Sequence, residues 1–166
     1  MGVRRRFGVV GVGFLLLSLM SALARAQTPA PAPAEAREEI QFARGELAVA
    51  RQALVTQAMD LTPQEMEGFW PLYRDYRRAA GKVGDRIVAL LAAYADQYDT
   101  LTDPAADKLL AEFVGIEKAR ANLKATYLPK FKKVLPAKKV ARFYQLENKL
   151  DILILSEMAD QIPLAR

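Results

Sequence analysis

Apolar residues recur along this chain at steps of three and four, the spacing that lines one face of an α-helix. The longest run is Met66, Phe69, Tyr73, Tyr76, Ala80, Val83, Ile87, Leu90 and Tyr94. It is a heptad seam of about four repeats. It predicts a helix from Pro63 to about Tyr98, roughly 50 Å long at about 1.5 Å per residue. Asp60 and Thr62 offer N-caps, and Pro63 suits the first helical position. Pro71 lies inside the run, so a bend is expected around residues 68–71.

A second seam follows after a turn over residues 96–103. Thr102 or Asp103 caps it and Pro104 takes the first turn. Leu109, Phe113, Ile116, Leu123 and Tyr127 then mark its apolar face. Pro129 is expected to bend or end this helix. Leu135 and Pro136 open a further helix with Val140, Phe143, Leu146, Leu150, Leu153 and Ile154 on one side, ending before Pro163. A sparser pattern, Ile40, Phe42, Leu47, Val49, Leu54 and Val55, predicts a first helix over residues 35–58, weakened by Gly45. No period-two alternation occurs anywhere, so the fold class is all-α. Two long seams joined by a short turn predict an antiparallel helical hairpin with two flanking helices. Such a hairpin leaves one apolar face uncovered, which predicts a homodimer.

Residues 1–26 carry a different pattern. Arg4, Arg5 and Arg6 precede an apolar stretch that runs to Leu23, and Ala24-Arg25-Ala26 has small residues at alternate positions. This is the pattern of a secretory signal peptide cleaved near Ala26; the alternative is a retained membrane anchor. Residues 27–34 alternate Pro and Ala as an extended spacer, and residues 35–166 form a single all-helical domain. Cleavage changes the charge balance. The chain has 24 basic and 19 acidic residues. Four arginines leave with the leader, so 20 basic residues face 19 acidic ones. Basicity then gives no argument for nucleic acid. The expected compartment is the periplasm, with at most peripheral membrane contact.

Candidate chemistry is thin. The chain has no His and no Cys, which excludes imidazole acid–base catalysis, thiolate nucleophiles and Cys/His metal sites. Ser156 is the one serine after residue 26, and it has no His to activate it. Asp96, Asp99, Asp103 and Asp107 cluster at a helix turn without calcium-loop spacing. Met59, Met66 and Met158 are too dispersed for a copper site. The expectation is a non-enzyme without cofactor or metal.

The positive feature is a charge run. Lys118, Arg120, Lys124, Lys130, Lys132, Lys133, Lys138, Lys139 and Arg142 follow one another with no acidic residue between Glu117 and Glu147. Tyr127, Phe131, Phe143 and Tyr144 interleave with them. The run is either a solvated helix face or a basic, partly apolar capture surface. Trp70 and Tyr144 are the aromatic candidates for that surface. Phe69 and Trp70 are about 100° apart on their helix, so one of them faces away from the seam.

Two helix starts echo each other at an offset of 74 residues. Leu61, Met66, Phe69, Trp70 and Leu72 correspond to Leu135, Val140, Phe143, Tyr144 and Leu146. At these residues the chain resembles the Spy/CpxP family of periplasmic stress proteins, marked by paired Leu-Thr-x-x-Gln motifs. Leu61-Thr62-Pro63-Gln64-Glu65 departs from the motif only at Glu65. In Leu135-Pro136-Ala137-Lys138-Lys139, Pro136 replaces Thr and Lys139 replaces Gln. Thr62 and Glu65 can still form a capping box, whereas Lys139 cannot accept the equivalent bond.

The resemblance implies a four-helix cradle-shaped antiparallel dimer. It also implies ATP-independent chaperone or stress-adaptor activity on unfolded envelope proteins. The alternative is a scaffolding envelope protein with one dedicated partner, an anionic membrane surface or a membrane sensor domain.

Overall fold

The computed structural model describes residues 33–159 and 162–165. The expected leader and residues 27–32 of the spacer lie outside the described residues. The fold is all-α. Among the described residues it consists of α1 (Pro33–Met59), α2 (Pro63–Gln97), a 3-10 turn (Tyr98–Thr100), α3 (Asp103–Val134) and α4 (Ala137–Ala159). Helix α1 begins at Pro33, so the last two residues assigned to the spacer are helical. Proline tolerates that position because the first N–H groups of a helix have no intrahelical partner.

Asp60, between α1 and α2, has φ 47°. This left-handed conformation ends α1, and Asp is one of the few non-glycine residues that adopts it readily. Two residues later Thr62 starts α2 with a complete capping box. The Thr62 Oγ1 accepts from the Glu65 N–H at 3.3 Å, and the Thr62 N–H donates to Glu65 Oε2 at 2.8 Å.

Neither internal proline ends its helix. Pro71 lies within α2 and Pro129 within α3, which continues to Val134. Both prolines are exposed, as are Glu67 and Ala125, whose carbonyls lose their helical donor. Water can bond those carbonyls, so the cost of each proline stays local. Helix α3 stops instead at Leu135, whose N–H donates to the Phe131 carbonyl at 2.9 Å. Pro136 then fills the N-cap place of α4, its carbonyl accepting from the N–H groups of Lys139 and Val140.

The described chain divides into two compact units. One unit holds Leu61–Gln145 and the C-terminal residues from Ile162. Its α2 and α3 pack as the expected hairpin. They approach closely at Gly68, where an added Cβ would stand 3.1 Å from Val134 Cβ and Cγ1. The core is aromatic: Phe69, Tyr73, Tyr76, Phe131 and Phe143 are buried, with Ile116, Leu135 and Val140. Phe131 and Phe143 have ring centroids 4.5 Å apart, and Phe69 meets Phe143 edge-on at 5.4 Å.

Farther along the hairpin the seam loosens. Val83, Ile87, Leu90 and Tyr94 are half-buried. Phe113, expected in the α3 seam, is 53% exposed, beside exposed Leu110 and Val114. Its neighbour Glu112 pairs with Arg86 of α2 at 2.8 Å and 3.1 Å. The Glu112 side of α3 faces α2 there, and Phe113 lies about 100° around the helix from it. Met66 and Leu153, both assigned to apolar faces, are exposed as well.

The other unit contains α1 and the chain from Leu146 through the end of α4. Arg51, Val55 and Met59 are buried one helical turn apart on α1, and Glu147 and Leu150 are buried on α4. Arg51 Nη1 donates to Glu147 Oε2 at 2.9 Å and Nη2 to Asp151 Oδ1 at 3.2 Å. Among the described residues, no helix is long and apolar enough to cross a membrane.

Candidate functional site

The two motif copies meet. Lys139 Nζ donates to Glu65 Oε2 at 2.5 Å, so the residues that replace the motif glutamines pair with each other. One turn on, Phe69 packs against its own counterpart Phe143. The two helix starts therefore meet at two equivalent positions, Glu65 with Lys139 and Phe69 with Phe143. Glu65 closes the α2 cap and accepts from Lys139 with the same oxygen. Its carboxyl is held below its ordinary value, chiefly by the Lys139 hydrogen bond and next by the Thr62 N–H. Leu61 and Leu135, which open the motifs, are both buried. Lys139 is thus half-buried and engaged, unlike the lysines around it.

The aromatic candidates sit at the edge of this junction. Trp70 is half-buried, edge-on to Phe69 and Tyr73 at 5.1 Å and 5.5 Å. Of the adjacent pair, Phe69 faces inward and Trp70 is the one partly exposed. Tyr144 donates its hydroxyl to the Lys124 carbonyl at 2.8 Å. Burial pushes its phenol up to about 12, so it remains a donor across the physiological range.

The basic run divides by environment. Arg120 pairs with Glu117 at 3.0 Å and is half-buried, as is Lys124. Lys130 lies 4.4 Å from the Tyr127 ring centroid, a cation–π contact. Lys130, Lys132, Lys133, Lys138 and Arg142 are exposed. Phe131 points inward, so Lys130 and Lys132 flank it about 100° to either side and Lys133 faces away. The cations thus cover the outward half of the helix end rather than a narrow stripe.

Two local fields act on them. Lys132 and Lys133 stand in the last turn of α3, where the helix dipole favours positive charge. Lys138 stands in the first turn of α4, where the same dipole disfavours it. Among the described residues, Lys132, Lys133 and Lys138 make no ion pair. The corner between α3 and α4 is therefore a site of uncompensated positive potential. An anionic group placed there would gain from three mobile ammonium groups.

A shallow groove of about 520 Å³ lies at the far end of the hairpin, lined by Arg86, Leu90, Ala93, Gln97, Lys108 and Glu112 among others. Its Arg86 and Glu112 are paired to each other, which leaves Lys108 as the charged side chain of the lining outside that pair. Among the described residues, no group of three acidic residues is placed to hold a metal ion.

Sequence reasoning missed the Glu65–Lys139 pair and the buried Arg51 cluster. The first was available in principle, because the 74-residue echo places opposite charges at equivalent positions. The second had no sequence signal, since a mid-helix Arg and Glu separated by 96 residues look like solvated charges. Compared with protein-family models, curated proteins and solved structures, the chain matches none.

Proposed function

We propose that the protein is an ATP-independent chaperone or envelope-stress adaptor of the Spy/CpxP type, acting in the periplasm as a homodimer without catalysis. The observation that carries this reading is the corner of exposed lysines, Lys132, Lys133 and Lys138, in a 29-residue stretch free of acids, with half-buried Trp70 and Tyr144 in the same unit. Long-range attraction accelerates encounter with acidic segments of an unfolded chain. Apolar contact then holds the client away from other unfolded chains.

Helix α3 carries both kinds of surface. Its exposed apolar residues Leu110, Phe113 and Val114 lie about 28 Å along the helix from Lys132. An extended chain covers that distance in about eight or nine residues. A client segment of that length, acidic at one end and apolar at the other, fits both surfaces at once. Several weak contacts of this kind bind many sequences, which suits a promiscuous binder better than one tight pocket does.

The test is light scattering from a chemically unfolded, aggregating client without ATP, at low and high salt. Suppression at substoichiometric to equimolar protein, weakened by salt, is the expected result. The Lys132→Gln/Lys133→Gln/Lys138→Gln variant should keep its helix content and lose most of the suppression. Unchanged protection by that variant refutes charge capture. A folded protein with no suppression at any salt points instead to a dedicated partner.

A further inference from the structure

Beyond α4, residues 162–165 are non-helical and lie within the hairpin unit. Two tyrosines of the same unit hold them. The Tyr94 hydroxyl donates to the Pro163 carbonyl at 2.8 Å, and the Tyr98 hydroxyl donates to the next carbonyl, Leu164, at 3.2 Å. The two rings stand edge-on, 5.7 Å between centroids. Every side chain of the held segment is exposed, and Leu164 is 89% exposed. The contact therefore reads main-chain carbonyls and takes little from side chains.

That mode of contact defines a ligand class. Proline removes one backbone donor and disfavours helix in the residue before it. Carbonyls of such a chain have no internal partner and accept from any suitably spaced hydroxyl pair. Aromatic ledges that bind extended, proline-bearing peptides use this combination of a preformed strand and ring-borne donors.

We propose that Tyr94 and Tyr98 form a binding ledge for extended peptide backbone, and that the C-terminal segment from Ile162 occupies it in cis as a built-in competitor. The identity of the incoming ligand as an unfolded client segment rests on the chaperone reading; the ledge itself does not. A site that reads backbone is indifferent to client sequence. A tethered occupant at an effective concentration of about millimolar keeps it closed to weak ligands. Only a segment that also engages other parts of the surface displaces the tail.

The experiment uses tyrosine-ring NMR with the peptide acetyl-Gln-Ile-Pro-Leu-Ala-amide as probe. The proteins are the full chain, the chain ending at Ala159, and both with Tyr94→Phe/Tyr98→Phe. The Phe variants keep the rings and lose only the donors, so they preserve the fold. The expected result is that ending the chain at Ala159 shifts the Tyr94 and Tyr98 resonances and that added peptide returns them toward their full-chain positions.

Peptide affinity should rise about threefold or more when the tail is removed. It should fall to undetectable with both tyrosines changed to Phe. A peptide with Ala in place of Leu should bind within about twofold, because the Leu164 side chain is exposed. Equal peptide affinity with and without the tail, or binding that survives the Phe pair, overturns the proposal. Peptide binding without any suppression of client aggregation leaves the ledge standing and refutes the chaperone reading instead.

Discussion

Glu147→Leu is the most informative single substitution, because the structure predicts opposite signs for it alone and in combination. Arg51 is 3% exposed, with Glu147 Oε2 at 2.9 Å and Asp151 Oδ1 at 3.2 Å. At an effective dielectric of about 20, unit charges at the first distance attract by about 6 kcal/mol. Desolvation of both groups offsets most of this, so the net worth of the pair is small. Removing one partner is different, since the other stays buried and charged.

A broken buried pair typically costs about 3–5 kcal/mol. Asp151 remains near the guanidinium but is 22% exposed at its side chain. The expected loss is therefore about 3 kcal/mol, the lower end of that range. Replacing both residues, Arg51→Met with Glu147→Leu, removes two buried charges and should be neutral or stabilising by about 1–3 kcal/mol. Arg51 Nε, which has no hydrogen-bond partner among the described residues, adds to the advantage of the apolar pair.

Urea denaturation followed by helix circular dichroism measures both variants, with hydrogen exchange on α1 amides as the local readout. A single-variant loss below about 1 kcal/mol refutes the claim that this pair is dry. A double variant as unstable as the single one refutes the claim that charge, and not shape, holds the two helices at this point.

Three further outcomes follow from the hairpin unit. The Glu65 carboxyl is held below its ordinary value of 4.5, first by Lys139. Its contribution to stability is present above the unfolded carboxylate value and is lost as pH falls through the lowered folded value. Lys139→Gln should reduce the acid-side loss of stability below about pH 4.5, and an NMR titration should show the Glu65 carboxyl moving up; an unmoved titration contradicts the pair. Gly68→Ala should destabilise although alanine favours helix by about 1 kcal/mol, because its Cβ meets Val134 at 3.1 Å. Adding Val134→Ala removes the Cγ1 contact and leaves the Cβ contact at 3.1 Å, so it should recover only part of the loss, measurable as a shift in Tm. Phe143→Ala, at a residue 1% exposed and ringed by Phe69, Tyr73, Tyr76, Phe131 and Tyr144, should cost about 3–5 kcal/mol in chemical denaturation.

Helix positions were legible in the sequence because three-and-four spacing is a local property of the chain. The α2 seam, its Thr62 cap and the hairpin turn could be read from residue order alone, and the structure places them there. The start of α3 was legible in Thr102 and Pro104, and its end past Pro129 was not. Pro129 looks like a terminator until its exposure, and that of Ala125, show that the unbonded carbonyl reaches water. Which apolar residues are buried was only partly legible. Phe113 fits the seam by count, yet it is exposed while its neighbour Glu112 faces α2 and pairs with Arg86. The charge run was visible as a run, but its division into engaged Lys139 and open Lys132, Lys133 and Lys138 required the packing of α4 against α2.

By itself, then, the sequence determined the all-α class, the hairpin, the first helix cap and the segregation of charge, since each depends on neighbours within a few turns. The tertiary structure decided the pairing of Glu65 with Lys139, the packing of Phe69 on Phe143, the burial of Arg51 with Glu147 and the seating of the C-terminal residues on Tyr94 and Tyr98. Each of these joins residues 66 to 100 positions apart. At that separation no periodicity constrains the partner. Only the competition between desolvation, packing and charge in the folded chain selects it.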